Sequence, residues 1–437
     1  MHKFRFQRQS LLKYFANTSW LLFEKIFRSI ILLITGIYVA RYLGPNRFGI
    51  LNYAISLVGL FSAIAGLGLD KIIVKDLVNL PKARESILGT GFVLKCIGAF
   101  LSFLFLAVAV KFTSTDTHTK LMIFIIAGGL IFQSFNVIDF YFQSIVKSKH
   151  VVFAKIFQTT ISAAVKIVLI VIHASLLWFA IAILAESIIL ACGLLTAYLK
   201  NRLSFRNWKF KFPIAQKLLI SSYPLIFSGL AISIYMKIDQ IMIKEMLDAT
   251  ATGLYAAAVR ICEAWYFLPV VITGSVFPAI IHAKKTGEKI YIDRLQKLYD
   301  LMALLAILIA VPITIWGDQL IQFLFGLQFT PTAAVMKIYI WANIPVFLGV
   351  ASGAWLINEN LMKYSLARTT LGCFLNVTLN LFFIPRWNIQ GAAWATIFSY
   401  SLATFSIVLF PGAKPNSFLV LKSLFPFVRW FKGQPGL

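Results

Sequence analysis

The chain has 437 residues, of which 59% are hydrophobic and only 13% are charged, and its mean hydropathy is +0.83. Its 40 phenylalanines, 15 tyrosines and 10 tryptophans carry more apolar surface than a water-soluble domain of this size can bury. The net charge of +25 suggests a nucleic-acid partner, but the cations are spread over many short loops without a nucleic-acid motif. We therefore predict an integral membrane protein that binds the lipid bilayer and no nucleic acid.

Runs of about twenty apolar residues, long enough to cross ~30 Å of hydrocarbon, recur along the whole chain. The first run is too long for a cleaved signal peptide and is expected to stay as a membrane helix. About twelve spans are predicted, and the fold class is all-α. With approximate ends, the runs are 18–40, 48–69, 86–110, 120–142, 151–173, 175–199, 217–243, 253–280, 298–316, 333–357, 363–384 and 391–410.

The loops between these runs alternate between basic and nearly cation-free. Lysine and arginine collect on the cytoplasmic side of membrane proteins, so this alternation predicts that both termini are cytoplasmic. Most of the positive charge is explained in this way. The basic set comprises the N-terminus, 70–85, 143–150, 200–217, 281–297 and the C-terminal tail.

The chain also contains a weak internal repeat. LGPNRFGILNYA (43–54) and LDATATGLYAAA (247–258) share their leucine, a glycine and the final alanine, and each leads into a long apolar run. Six crossings separate the two equivalent points, so both repeats enter the membrane from the same side. This predicts two six-helix bundles related by a parallel pseudo-two-fold repeat, an architecture suited to alternating access. The predicted divisions are an N-terminal bundle at 1–199, a basic cytoplasmic linker at 200–216, a C-terminal bundle at 217–410 and a cytoplasmic or interfacial tail at 411–437.

Three stretches resemble a known family. The runs 40–77, 236–280 and 374–400 are similar to the oligosaccharide flippases of bacterial polysaccharide biosynthesis, in the multidrug/oligosaccharidyl-lipid/polysaccharide exporter superfamily. The resemblance implies a membrane transporter, not an enzyme, in the bacterial inner membrane. It would move an undecaprenyl-diphosphate-linked oligosaccharide, such as an O-antigen or other surface polysaccharide repeat unit, beside other polysaccharide assembly proteins.

Cations inside the apolar runs are candidates for binding the diphosphate. An arginine at the centre of a membrane helix costs about 2.5 to 3.5 kcal/mol, so such a residue is a candidate functional residue. The bidentate fork of arginine suits phosphate, and lysine acts as a point charge. We expect Arg28 and Arg260 to form two walls of one anionic site, with Lys237 and then Lys166 as further contacts.

Acidic residues near these cations have two interpretations. Glu24 and Arg28 are four residues apart, and Arg260 and Glu263 are three apart, so each pair could be neutralised along its own helix. Alternatively, a buried carboxylate can bind and release a coupling ion. We therefore assign Asp239, Glu263 and Glu24 as counter-charges or coupling groups for H⁺ or Na⁺, and expect no other cofactor and no metal site.

Phe267 is the aromatic residue selected for stacking on a sugar, because on a continuous helix it shares a face with Arg260 and Glu263. Two other functions share some of these features. A drug or cation exporter of the same superfamily is disfavoured by the excess of cations. A membrane-embedded polysaccharide polymerase or ligase is disfavoured because the loops on the predicted outer face are short.

Overall fold

The computed structural model describes residues 2–424, and their side chains from residue 19 onward except Pro278, Lys285 and Thr286. These residues form α-helices joined by short turns, with no β-strand among them. The first eight helices are α1 (His2–Gly66), α2 (Asp70–Asn79), α3 (Arg84–Lys111), α4 (Thr117–Phe132), α5 (Val137–Ser144), α6 (Lys149–Val171), α7 (Leu176–Lys200) and α8 (Phe212–Met246). The remaining helices are α9 (Ala249–Glu263), α10 (Phe267–Thr286), α11 (Glu288–Ile315), α12 (Gly317–Phe325), α13 (Thr332–Tyr339), α14 (Asn343–Asn358), α15 (Met362–Phe405) and α16 (Lys414–Lys422).

Ten helical segments of the described chain are long and apolar enough to cross a membrane, and two of them are long enough to cross it twice. Ser19–Asn79 has 61 residues and Met362–Leu409 has 48. At 1.5 Å per residue, either segment is more than twice as long as the ~30 Å hydrocarbon core is thick. Each is broken near its middle, so the ten segments have the length for twelve crossings, in agreement with the approximate number that the sequence predicts.

The two breaks have local causes. In α1, Gly44 has φ 68° and ψ 170°, a backbone conformation that only glycine adopts readily, and Pro45 starts the next helix without needing a helical N–H bond. In α15, Asn388 has φ 51°, three residues after Pro385. Asparagine tolerates positive φ better than most residues do. The turn predicted between the last two spans therefore lies at this asparagine.

Three of the crossings are interrupted by short 3₁₀ turns. These turns lie at Gln133–Asn136 between α4 and α5, at Ala264–Tyr266 between α9 and α10, and at Ile340–Ala342 between α13 and α14. A 3₁₀ residue turns the chain by about 120°, compared with 100° in an α-helix. Because this extra rotation lies between Glu263 and Phe267, the assumption of one continuous helix there was wrong.

Packing divides the chain into two compact units. The first unit contains the residues up to Leu43 together with Ile50–Ile241. The second contains Gly44–Gly49 and the residues from Met242 onward. The basic segment 200–216 lies within the first unit, and α8 passes from the first unit to the second. The predicted division into two six-helix bundles around a linker stays a prediction.

Each unit has its own apolar core, while other apolar side chains face outward. Leu69, Val137 and Leu194 are among the fully buried residues of the first core, and Met302 and Phe347 are among those of the second. Large apolar residues are exposed along the spans, for example Phe100 and Phe374. Exposed rows of this kind are expected where the solvent is lipid.

The chain beyond the last crossing packs back onto the second unit. In α16, Asn416 and Val420 are buried, whereas Phe418 is exposed. The side chain of Gln296 in α11 donates a hydrogen bond of 3.2 Å to the carbonyl oxygen of Leu419. Thus one side of α16 is a packed part of the unit. The rest of the predicted interfacial tail, residues 425–437, lies outside the described residues.

Candidate functional site

In the first unit, α8 packs against the second half of α1, and this contact positions Lys237. The hydroxyl of Ser56 donates a hydrogen bond of 2.9 Å to Oε1 of Gln240. One turn further along α1, a Cβ on Gly59 would lie 3.7 Å from Cγ of Lys237. The half-buried lysine stem thus lies directly beside Gly59, at ordinary van der Waals distance from such a Cβ. Asp239, on the same stretch of α8, is buried.

The Glu24–Arg28 pair lies near the start of the first crossing. Nη1 of Arg28 is 3.8 Å from Oε1 of Glu24, one helical turn earlier. The two side chains differ in exposure, because that of Arg28 is 52% exposed and that of Glu24 only 6%. The predicted pairing along the helix is present, and the guanidinium keeps enough exposure to meet another anion.

Lys166 is paired with an acid on the neighbouring helix. Its ammonium hydrogen-bonds to Oε1 of Glu186 in α7. The hydroxyl of Ser162, one turn before Lys166 in α6, donates to the same oxygen. The lysine charge is thus balanced by Glu186, a partner that sequence spacing cannot reveal because it lies 20 residues away.

In the second unit, Arg260 lies over an aromatic ring. Its Cζ is 5.2 Å from the ring centroid of Phe48, which is almost completely buried. Phe48 belongs to the short segment Gly44–Gly49 that packs with this unit. A guanidinium over an aromatic face gains electrostatic attraction without losing its net charge. The arrangement therefore holds Arg260 in place while leaving it cationic.

Glu263 lies one turn after Arg260 and belongs to a network of hydroxyl groups. The hydroxyl of Tyr339 donates a hydrogen bond of 3.1 Å to Oε1 of Glu263. The Tyr339 ring packs edge-on against Tyr255 with centroids 6.0 Å apart, and the Tyr255 hydroxyl is 3.3 Å from that of Thr396. Three helices, α9, α13 and α15, thus contribute to the network around a carboxylate that sequence spacing had paired only with Arg260.

Phe267 begins α10, directly after the 3₁₀ turn Ala264–Tyr266, and it is partly buried. Three 3₁₀ residues shift its direction by about 60° from that expected on a continuous α-helix. Its role beside Arg260 and Glu263 as a sugar-stacking residue stays a prediction, and it remains close to them in the chain.

Several polar groups of this region were missed by sequence reasoning. Asn343, at the start of α14, is completely buried, and its side-chain nitrogen and oxygen have no hydrogen-bond partner among the described residues. Nε1 of Trp265 is likewise buried without one. Gln240 could have been found, since it adjoins Asp239 in an apolar run. Tyr339 and Phe48 could not have been found, because nothing in the local sequence relates them to the residues that they contact.

A family model and a curated relative match parts of this sequence. A model of the family described as polysaccharide biosynthesis protein matches residues 14–284, more than half of the chain. The chain belongs to this family. One curated relative is "Probable low-salt glycan biosynthesis flippase Agl15" from Haloferax volcanii, which is 23% identical over 174 residues. The match covers 39% of this chain, and the chain spans 36% of the length of that relative.

Two solved structures show the same fold. An inward-facing multidrug resistance MATE family transporter of the MOP superfamily has a TM-score of 0.69 and 13% identity, with 90% of this chain and 96% of that chain covered. The lipid II flippase MurJ, in an inward closed conformation, has a TM-score of 0.64 and 15% identity, with 97% and 93% covered. The predicted all-helical membrane fold and the predicted family are confirmed.

Proposed function

We propose that this protein moves an undecaprenyl-diphosphate-linked oligosaccharide from the cytoplasmic to the outer leaflet of the bacterial inner membrane by alternating access. The cargo is an O-antigen or another surface polysaccharide repeat unit. The observation that carries the proposal is the match to the polysaccharide biosynthesis family over residues 14–284. A drug exporter would share the fold, but this family match and the excess of cations favour an anionic glycan lipid.

The chemistry of the cargo explains why cations are needed inside the spans. The lipid tail can stay in the bilayer, but a doubly charged diphosphate and its sugars cannot cross hydrocarbon unaided. Arg260 is held over Phe48 with its charge intact. The Arg28 side chain is exposed, and its contact with Glu24, at 3.8 Å, is longer than a hydrogen bond. We assign both as diphosphate contacts, followed by Lys237.

Lys166 is the weakest of the four proposed cations, because Glu186 and Ser162 already surround its ammonium group with an ion pair and a polar neighbour. A diphosphate would have to compete with Glu186 for the Lys166 ammonium group. Phe267 remains the proposed sugar-stacking residue on the grounds of its partial burial and its chain position beside Glu263. Both termini are proposed to be cytoplasmic because of the basic loops.

The decisive experiment reconstitutes the purified protein in vesicles and measures translocation of a polyprenyl-diphosphate oligosaccharide. We expect Arg260→Ala and Arg28→Ala to reduce translocation by about tenfold or more, as loss of a charge-assisted phosphate contact should. Arg260→Lys and Arg28→Lys should retain part of the activity. Arg386→Ala, which removes an exposed arginine, is the matched control and should leave it unchanged.

Full translocation by both alanine variants would remove these arginines from the site. Absence of translocation by the wild type, together with transport of a cationic drug, would refute the proposed cargo.

We further propose that transport is coupled to H⁺ or Na⁺ through Asp239 or Glu263, with Glu24 acting as a counter-charge. Burial of Asp239 and the hydroxyl contact of Glu263 support these assignments. Asp239→Asn and Glu263→Gln should each reduce translocation and weaken its response to collapse of the ion gradient. A variant with full transport and an unchanged gradient response would exclude the residue concerned.

A further inference from the structure

The segment that joins α7 to α8 is fixed to the first unit by its backbone. The N–H of Lys209 donates a hydrogen bond of 3.3 Å to the carbonyl oxygen of Glu85. The N–H of Lys211 donates one of 3.0 Å to Oγ1 of Thr90, which is completely buried. We call residues 204–211 the strap, because these two bonds hold them across the start of α3.

A glycine of α3 permits this close approach. A Cβ added to Gly89 would lie 2.6 Å from the backbone nitrogen of Lys209 and 2.9 Å from its carbonyl oxygen. Both distances are far below van der Waals contact, so any larger side chain at residue 89 would displace the strap.

An aromatic cluster holds the centre of the strap. Nε1 of Trp208 donates a hydrogen bond of 3.1 Å to the hydroxyl oxygen of Tyr198, and the ring centroids of Trp208 and Phe92 are 5.5 Å apart. Tyr198 is completely buried and belongs to the first core. The strap is thus a packed part of the first unit, although its composition alone predicts only a basic linker.

The charge that the strap exposes is entirely positive. The strap contains Arg206, Lys209 and Lys211 and no acidic residue. All three cations are exposed and form no ion pair with the described residues. Lys217, a little further along α8, differs because it lies 3.0 Å from the carboxylate of Asp76. The three strap cations therefore keep their charge for a partner.

Aromatic rings are exposed beside these cations. Phe210 is 48% exposed, and Phe212, the first residue of α8, is 71% exposed. Phe212 precedes the predicted span 217–243 by five residues, which is about 8 Å of helix and roughly the thickness of a headgroup region. At this depth a ring reaches the acyl chains while a lysine remains among the lipid phosphates.

We propose that the strap is a preformed binding site for the headgroups of anionic phospholipids in the predicted cytoplasmic leaflet. Arg206, Lys209 and Lys211 bind the phosphates, and the rings of Phe210 and Phe212 enter the acyl region. An acidic protein would match the cations, but it would not explain exposed rings next to a membrane span. The proposal does not depend on which cargo the protein moves.

The test measures the lipid that the purified full-length protein retains in native mass spectrometry, after mixing with equal amounts of phosphatidylglycerol and phosphatidylcholine. We expect the wild type to retain phosphatidylglycerol preferentially. One basic residue near an anionic surface contributes about fivefold to affinity. The triple variant Arg206→Gln/Lys209→Gln/Lys211→Gln should therefore reduce the preference by about tenfold or more.

The matched control is Lys71→Gln/Lys75→Gln/Lys82→Gln, which removes three exposed cations elsewhere in the first unit and should retain the preference. Equal loss in the two triple variants would show that the preference follows total charge, and would overturn the strap as the site. Equal retention of both lipids by the wild type would refute a lipid partner and leave an acidic protein as the occupant.

A further variant tests whether the fixed backbone matters. Gly89→Ala keeps every cation but displaces the strap from α3, so we expect the preference for phosphatidylglycerol to fall. Gly66→Ala is the control within the first unit, because a Cβ there meets no atom of the described residues within 4 Å. An undiminished preference in the Gly89→Ala protein would contradict a preformed site.

Discussion

The two units hold their buried polar groups in different ways. In the first unit, ion pairs join neighbouring helices: Lys155 lies 2.7 Å from Asp139, and Lys95 lies 2.7 Å from Asp70. In the second unit, a hydrogen-bonded network extends from Tyr299 to Asn416 and on to Ser352. An ion pair can exchange partners when another charge arrives, whereas this network consists of directional hydrogen bonds to Asn416 and Ser352. The ion pairs of the first unit therefore join neighbouring helices by charge, and the network of the second unit holds α16 in place.

This hydrogen-bonded network also explains how α16 is fixed. The amide nitrogen of Asn416 donates a hydrogen bond of 3.2 Å to Oγ of Ser352. Arg368 donates to the same hydroxyl oxygen at 3.3 Å and to the carbonyl oxygen of Gly349 at 3.0 Å. One asparagine thus links α16 to two membrane helices of the second unit. An amphipathic pattern alone would have left this helix on the membrane surface.

The largest effect should come from breaking an ion pair of the first unit. Lys155→Met leaves the Asp139 carboxylate buried with only the 2.9 Å hydrogen bond from Gln143. Removing one partner of a buried pair typically costs about 3 to 5 kcal/mol. We expect a clear fall in the thermal unfolding temperature of the purified protein in detergent micelles.

The double variant Asp139→Leu/Lys155→Met provides the control, because replacing both charges by apolar side chains is often neutral. If the double variant is as unstable as Lys155→Met, the buried unpaired charge is not the cause of the loss.

Disrupting the hydrogen-bonded network around Asn416 should lower the stability of the protein by a smaller amount. Asn416→Leu leaves the hydroxyl groups of Tyr299 and Ser352 without this partner, and each buried polar group left unsatisfied costs about 1 to 3 kcal/mol. We expect a lower unfolding temperature and faster proteolysis within α16. Phe418→Leu is the matched control on the exposed side of the same helix and should change neither measurement. Equal behaviour of the two variants would show that α16 is not held by Asn416.

The smallest effect concerns the pH dependence of an ion pair at the edge of the second unit. Nζ of Lys284 is 2.7 Å and 2.8 Å from the two oxygens of Glu359, and the Tyr291 hydroxyl is 3.1 Å from one of them. Partial burial raises the pKa of Glu359, but these hydrogen bonds outweigh it, so the net pKa lies below its ordinary value. The pair's stabilisation should therefore be present above about pH 4.3 and be lost as the pH falls through the lower folded-state value.

Glu359→Gln should remove this part of the pH dependence and lower stability at neutral pH by less than about 1 kcal/mol, as for other partly exposed pairs. The measurement is the unfolding temperature between neutral pH and pH 3. Asp293→Asn, which disrupts an exposed i,i+4 pair with Lys297, is the control. An identical pH profile for Glu359→Gln and the wild type would contradict the assignment.

Sequence periodicity and length predicted the crossings well, because a membrane span must satisfy its own backbone within one helix. The break at Gly44-Pro45 could also be predicted, since it depends on residues with special backbone preferences. The 3₁₀ turn at Ala264–Tyr266 could not be predicted, because none of its residues has a special backbone preference. This change of helix type over three residues alters the direction expected for the Phe267 side chain.

For the candidate site, the kinds of residue were predictable, but their partners were not. Arg260 and Lys166 stand out as charges in apolar runs, and their cost in lipid makes them noticeable in any sequence. Phe48 and Glu186 become their neighbours only through helix packing, over separations that no local rule covers. The i,i+4 pair Glu24–Arg28 was predictable because helix geometry alone brings its members together.

The sequence by itself determined the solvent, the helical class, the number of crossings and the family, because these follow from composition, apolar length and ordered motifs. Only the tertiary structure decided which cation faces a ring and which faces an acid, how Asn416 holds α16, and that Gly49 meets Gly253. The physical reason is that hydrophobicity and helix geometry act within one segment, whereas a side-chain partner depends on which helices pack together.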